Sequence, residues 1–361
     1  MVHKRSDGES IIEALNKAQR IAFGPILFQA VRSGIATGFL KHIADDPCSE
    51  AEAAHACSLT PYATGVLTDV LVSGDVLAKA EDGTLSLTKT GQCLLFDEMT
   101  RVNFNFTADV CYRGMDHLTE ALVEGRPAGL KELSDWPTIY PAISELPEPA
   151  RTSWFAFDHY YSDRYFAMLA AELQQRLHPA VLFDVGGNTG KFAAACLNAM
   201  PQARVTLIDL PQQCKTARAA LAASPDAERF CAAEVDWLVP ESMPATNGKA
   251  DVIWMSQFLD CFSPDEAVSI LTRCKTLLSP NGRFAVLECL VDGQPFAAAN
   301  FSLAAVSLYF TAMANGNSRF YRRADLEAIF KKTGLDIEYR HDGVGVSHTL
   351  YILKPALGDS Q

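Results

Sequence analysis

The chain has no run of about 18 uninterrupted apolar residues, so no segment of its 361 residues reads as a membrane span. Its opening, MVHKRSDGES, lacks the apolar core of a secretory leader. The ten cysteines, at positions 48, 57, 93, 111, 196, 214, 231, 261, 274 and 289, stand singly, with no C-x-x-C among them. That spacing argues against a zinc cluster or a disulfide framework; it predicts reduced thiols, no metal and a cytoplasmic location. Positive charge is also scarce. The formal net charge of -12 repels phosphodiester backbones and anionic lipid, so neither nucleic acid nor membrane is expected as a partner.

What the chain does have is apolar material for a full core, 48% of residues against 20% charged. The first forty residues read as apolar helix. Ser49 and Glu52 then form a capping box, and Thr60-Pro61 suits the N-cap and first position of a second helix. VLAKAEDGTLSLT carries two short alternating runs around Asp82-Gly83, a hairpin signature. Helix, helix, hairpin is a winged helix. Between Asp45 and Thr100, however, the only Lys or Arg residues are Lys79 and Lys89, and Pro61 to Ser73 carries neither. A recognition helix without cations has nothing to neutralise phosphates, so a structural or dimerising role is expected instead.

From about Ala180 the pattern alternates between strand and helix. AVLFDV, RVTLID, RFCAAEV, DVIWMSQFL, RFAVLECLV, LDIEYR and HTLYIL are strand candidates. Runs apolar on both sides predict a sheet covered by helices on both faces. Helix starts and stops include Ser263-Pro264-Glu266 and the terminal Gly334.

The first of these strands runs into a glycine turn and a helix, AVLFDVGGNTGKFAAACL, with glycines at 186, 187 and 190. The string is G-G-x-x-G, so the nicotinamide fingerprint is not met. Asp184, just ahead of it, would sit poorly beside a pyrophosphate but suits a ligand bearing an ammonium and a sulfonium group, S-adenosylmethionine. Asp209 ends the next strand, nineteen residues after Gly190, where an acid can accept from ribose hydroxyls. Asp236 ends the third, followed by Trp237, a pair suited to an adenine's amino group and face.

Over nearly its whole length the chain resembles the small-molecule O-methyltransferases with a winged-helix dimerisation domain. The resemblance rests on LSLTKTG in the N-terminal half and on DVGGNTG, LIDLP, VDW, SQFLDCFSPDEAVSIL, LSPNGRFAVLE and RRADLEAIFKKTGL in the C-terminal half. It implies an α/β fold of class I methyltransferase type, a Rossmann-like doubly wound sheet of seven strands with one antiparallel edge strand, the last. It also implies a homodimer, S-adenosylmethionine as cofactor and an aromatic small-molecule acceptor. The implied domains are 1–100 (helical and winged-helix dimerisation), 101–175 (a helical linker contributing to the substrate pocket) and 176–356 (cofactor binding). By analogy Asp184, Gly186, Gly187 and Gly190 cradle the methionine part, Asp209 with Leu210 takes the ribose, Asp236 with Trp237 takes the adenine, and Ser256 meets the carboxylate end. The segment Asn300 to Phe320, with Phe310 and Met313, would line the acceptor pocket together with Tyr161 and Tyr165.

One departure stands out. Where the family usually carries a histidine base, an acid and a tryptophan, this chain reads Asp260, Cys261 and Phe262. A free aspartate near pKa 3.9 is about six units short of a phenol near 10, unless burial raises the one or the site lowers the other. Glu288 matches a family acid that flanks the histidine, so an Asp260–Glu288 pair could act as a tuned base. Three readings stay open: Asp260 as base for O-methylation, Asp260 as an orienting group for C-methylation, and a reaction other than methyl transfer. His159 is a further candidate base, and a ligand-sensing winged-helix protein is the rival from another class.

Overall fold

The computed structural model describes residues 8–356; the first seven residues of the expected N-terminal domain lie outside them. The chain divides into two compact units between Ala108 and Asp109. Residues 109–175, expected as a linker, therefore belong to the second unit.

The N-terminal unit holds α1 (Ile11–Ala22), α2 (Gly24–Ala36), α3 (Phe39–Asp45), α4 (Glu50–Ala56), α5 (Pro61–Ser73), the strands β1 (Leu77–Lys79) and β2 (Leu85–Leu87), then α6 (Lys89–Phe96) and α7 (Glu98–Phe106). Its local signals act as the sequence predicts. Ser49 and Glu52 close the capping box of α4, and Thr60 accepts the Ala63 amide with Pro61 in the first turn of α5. β1 and β2 pair antiparallel across a turn where Gly83 has φ +85° and Asp82 accepts the Thr84 amide at 3.0 Å. Leu40, Ile43, Leu71, Leu77 and Leu85 are buried behind this helix-helix-hairpin frame. α1 contributes no buried residue.

The second unit contains α8 (Leu118–Glu124), the long α9 (Ala150–Leu177) and then the alternating part: β3 (Val181–Val185), α10 (Lys191–Ala199), β4 (Arg204–Asp209), α11 (Pro211–Leu221), β5 (Phe230–Glu234), β6 (Ala250–Ser256), α12 (Pro264–Lys275), β7 (Leu278–Cys289), α13 (Ala297–Tyr309), α14 (Arg323–Lys332), β8 (Leu335–Val344) and β9 (His348–Pro355). The seven strands β3 to β9 form one sheet in the order β5-β4-β3-β6-β7-β9-β8. β3 to β7 run parallel, and β9 is antiparallel to both β7 and β8. The expected antiparallel edge strand is thus corrected in one respect. The last strand is antiparallel but lies inside the sheet, because the β8–β9 hairpin inserts its second arm against β7 and leaves β8 at the edge.

Alternate side chains of each strand feed two cores, which is why the strands read as continuous apolar runs. Phe183, Val185, Ile253, Met255, Phe284 and Val286 pack with Ile270 and Leu271 of α12 and Ile329 and Phe330 of α14. Leu182, Val205, Val252, Trp254 and Leu287 pack with Leu169 and Leu173 of α9 and Phe192 and Leu197 of α10. Each such side chain contributes roughly 1.5–3 kcal/mol by leaving water. Ala297–Ala314 is 18 residues long with a mean hydropathy of 1.4, long and apolar enough to cross a membrane by length and composition alone. Asn300, Ser302, Ser307 and Thr311 interrupt it, which is why no uninterrupted run shows in the sequence, and Tyr309, Phe310, Ala312 and Met313 are buried in the unit.

Candidate active site

The carboxyl ends of β3, β4, β6 and β7 gather the acids that the sequence singles out. After β3 the chain turns through Gly186 (φ +75°), Asn188 (φ +49°) and Gly190 (φ +82°) into α10. A Cβ on Gly186 would stand 2.3 Å from the Phe258 ring, and one on Gly187 would stand 2.6 Å from Asp184 Oδ2. Only glycine allows both the backbone angle and this close approach at 186. Asp184 is 1% exposed, and its Oδ2 has no hydrogen-bond partner. Burial first, and then the neighbouring Asp209 charge, push its carboxyl up to about 7. Asp209 accepts the Asn188 amide on Oδ2 (2.8 Å) and the Leu210 amide on Oδ1 (2.7 Å). Burial raises it to about 6 against the pull of those two amides. Ser256, the last residue of β6, has a buried hydroxyl without a partner.

Asp236 and Trp237 lie two and three residues beyond the end of β5. The Asp236 carboxylate accepts the Leu238 amide at 2.9 Å and is exposed. Trp237 is 5% exposed and packs in the first core, with the Arg273 guanidinium 5.1 Å from its ring centroid. Its indole N–H is buried without a partner.

β6 stops at Ser256 rather than continuing through QFL, because Gln257 adopts φ +47°. Asp260 therefore sits on a one-turn 3-10 helix, Leu259–Cys261, and not on a strand end. It is 2% exposed, and Glu288 on β7 is fully buried. Glu288 Oε1 accepts the amides of Phe258 (3.1 Å) and Leu259 (2.8 Å), its Oε2 is buried without a hydrogen-bond partner, and its carboxyl interacts electrostatically with that of Asp260. Burial, and then the Asp260 charge, hold Glu288 well above the usual carboxylate range; burial raises Asp260 too, with the Asp158 charge adding to it.

Further residues complete this corner. Cys261 Sγ lies 3.4 Å from Asp260 Oδ1, and the buried Tyr140 hydroxyl, without a hydrogen-bond partner, lies against Cys261 and Asp260. Tyr309 accepts the Trp154 indole N–H at 2.8 Å and feels the charges of Cys261 and Asp158. Asp158 in turn accepts the side-chain amide of Asn188, in the glycine turn, at 3.2 Å. Trp154 and Asp158 are one turn apart on α9, a spacing that was legible; that this face meets Asp260 was not.

The four expected acceptor contacts fall elsewhere in part. Tyr165 packs in the second core and against Gly345, while Leu259, Phe258 and Phe262 beside Asp260 pack in the first. Tyr161 makes ring contacts with Phe157 and Tyr160. Phe310 stacks edge-on to Phe320, and Met313 is fully buried, its Sδ closed over Gly114. His159 Nδ1 lies 3.4 Å from Asp163, which also pairs with Lys191 at 2.5 Å. No group of three or more His, Cys, Asp or Glu suited to a metal occurs among the described residues.

The orphaned buried oxygens of Asp184 and Ser256, near the ends of β3 and β6, fit a cationic methyl-donor cofactor. Residues 168–336 match the O-methyltransferase domain family. Mitomycin biosynthesis 6-O-methyltransferase of Streptomyces lavendulae is 31% identical over 159 residues, 44% of this chain and 42% of that protein. Aclacinomycin 10-hydroxylase of Streptomyces purpurascens is 36% identical over 107 residues, 30% of this chain and 27% of that protein. These matches span less than half of the relatives' length. The solved mitomycin 7-O-methyltransferase superposes with a TM-score of 0.72 at 22% identity over 96% of this chain and 98% of its own. An O-methyltransferase from neocarzinostatin biosynthesis, solved with S-adenosylmethionine and 2-hydroxy-5-methyl naphthoic acid, gives 0.64 at 20% over 91% and 96%. At such identities the structures establish a shared fold.

Proposed function

We propose that this chain is an S-adenosylmethionine-dependent methyltransferase acting on a hydroxyl of an aromatic small molecule. The observation that carries it is the Asp184 carboxylate oxygen, buried, raised and without a partner beside the glycine turn. Asp184, Asp209 and Ser256 would hold the cofactor, with Asp236 and Trp237 at the adenine end; when bound, it supplies an electrophilic methyl group. The chain's own residues do the rest. The Asp260–Glu288 pair, raised by burial, stands far closer to a phenol than a free aspartate does and takes the acceptor's proton. Tyr309, Trp154 and Tyr140 give flat aromatic walls that orient the ring and keep the site dry, so that catalysis comes mainly from positioning.

The exposed apolar residues of α1, with Ile11, Ile12, Leu15 and Ile21 each more than half exposed, support a homodimer through the N-terminal unit. The net charge argues for no nucleic acid and no membrane, and the ten free thiols fit a cytoplasmic location. Incubation with methyl-labelled cofactor and a panel of phenols, with product NMR, tests the reading: O-methyl product supports it, and absence of cofactor binding refutes it. The hydroxylase match favours one second reading, a cofactor-retaining enzyme that does not transfer methyl. It would bind the cofactor and turn over acceptor without forming S-adenosylhomocysteine.

A further inference from the structure

Among the buried titratable side chains that the mechanism leaves unused is an imidazole. His348, at the start of β9, is 1% exposed, pairs with Cys289 in the β7–β9 ladder and stands one step from Glu288. Its Nε2 meets Oε1 of Gln257 in a hydrogen bond. Gln257 is the residue that ends β6, and it does so in the left-handed region, φ +47°, where a non-glycine backbone is strained. Its own amide still donates to Leu287 at 2.8 Å, so the strand is clamped up to this point and released after it. Its carbonyl faces the Cys261 thiol at 3.9 Å, and its side-chain oxygen is within 4.0 Å of Cys289 Sγ, which contacts Ser347 Oγ at 3.4 Å. The next two amides, of Phe258 and Leu259, are those that donate to Glu288. A strained backbone persists only where its surroundings over-determine it, and here the surroundings are β7 and β9.

We propose that Gln257 and His348 are positioning residues: the side-chain bond between them holds the left-handed turn that aims the Phe258 and Leu259 amides at Glu288 and brings Asp260 to the acid pair. The kinetic consequence rests on the methyl-transfer reading; the electrostatic one does not. Amide donors favour the ionised carboxylate, so a relaxed turn would raise the titration of the pair. The other groups that interact with the pair among the described residues are Asp158, Cys261, Cys289, Tyr140 and Tyr321. His348 itself, pushed down to about 4 by burial, stays neutral through the working range.

The test follows the pair in the full-length chain by NMR of carboxyl-labelled Asp and Glu across pH, beside cofactor calorimetry and turnover. Gln257→Met keeps bulk and loses the acceptor; His348→Leu loses the donor; His348→Gln keeps a donor of similar reach. In the first two the titration of the pair moves to higher pH, and kcat falls about tenfold or more with cofactor affinity unchanged. His348→Gln restores most of both. Gln257→Gly lacks the side chain but accepts φ +47° without strain, so it shows a smaller titration shift than Gln257→Met, with no loss in Tm. Wild-type titration and rate in folded Gln257→Met and His348→Leu overturn the proposal. So does a Gln257→Gly chain that unfolds, since the side chain would then be holding the fold rather than the turn. If the wild type transfers no methyl group, the methyltransferase reading fails while the NMR titration still decides this one.

Discussion

The Asp260 and Glu288 carboxyls are both buried and act electrostatically on one another at the carboxyl ends of the sheet's parallel strands. A single histidine can take a proton alone. Here burial raises both carboxyls towards that basicity, and the Asp260 charge raises Glu288 further.

Replacing either member should therefore do more than remove a charge. Asp260→Asn and Asp260→Ala are expected to lower kcat by about 10²–10⁴-fold, the range of a lost general base, with cofactor affinity unchanged. Single-turnover rates with labelled methyl donor measure this. Unchanged rates in Asp260→Ala would remove the pair from the mechanism.

Cofactor binding should depend on pH. Asp184 near 7 and Asp209 near 6 must be ionised to hold a cationic ligand and its ribose, so affinity falls as pH drops through 7 towards 6, and binding within and below that range releases protons. Calorimetry in two buffers of different ionisation enthalpy reads the protons directly. Affinity independent of pH from 5.5 to 8 would contradict it.

The same acids set the stability of the ligand-free chain. Unfolded aspartates titrate near 3.9, below the folded values, so the folded chain binds more protons in between and loses stability as pH rises from about 4 to 7. Thermal melts should show a higher Tm at pH 5 than at pH 8. The shift caused by added S-adenosylmethionine should grow over the same interval.

Gly186→Ala combines a left-handed backbone with a Cβ 2.3 Å from the Phe258 ring. Left-handed strain alone costs about 1–3 kcal/mol, and displacing Phe258 would disturb the turn leading to Asp260. Urea unfolding should show that loss, and cofactor affinity should drop at least tenfold. A wild-type midpoint would show that the turn is not held as described.

Acceptor charge gives another check. The groups that act on Asp260 are Cys261, Asp158 and Glu288, with no cation among them. An acceptor bearing a carboxylate beside its reacting hydroxyl should show kcat/KM about tenfold or more below that of its uncharged analogue, through like-charge repulsion in a poorly solvated site. Equal values would show that a cation reaches the pocket in the complex.

The sequence by itself determined the elements. Periodicity located all seven strands of the main sheet, and Ser49, Thr60 and Ser263 marked helix starts that the structure reproduces. These are short-range effects, a hydroxyl reaching an amide three residues on, or alternate side chains seeking opposite faces, and a few neighbouring residues contain all the information they need. Asp184, Gly186, Gly190 and Asp209 were legible for the same reason, since the turn that joins them is local. Tertiary structure alone decided that β9 slots between β7 and β8, that Gln257 breaks β6 before Asp260, and that Asp158 and Tyr140 act on Asp260. Each of those depends on which distant surfaces pack together and on which side chain a helix turns inward. Neither is written in the spacing of neighbours, because one residue's slip along a helix rotates it by 100° and sends another side chain into the site.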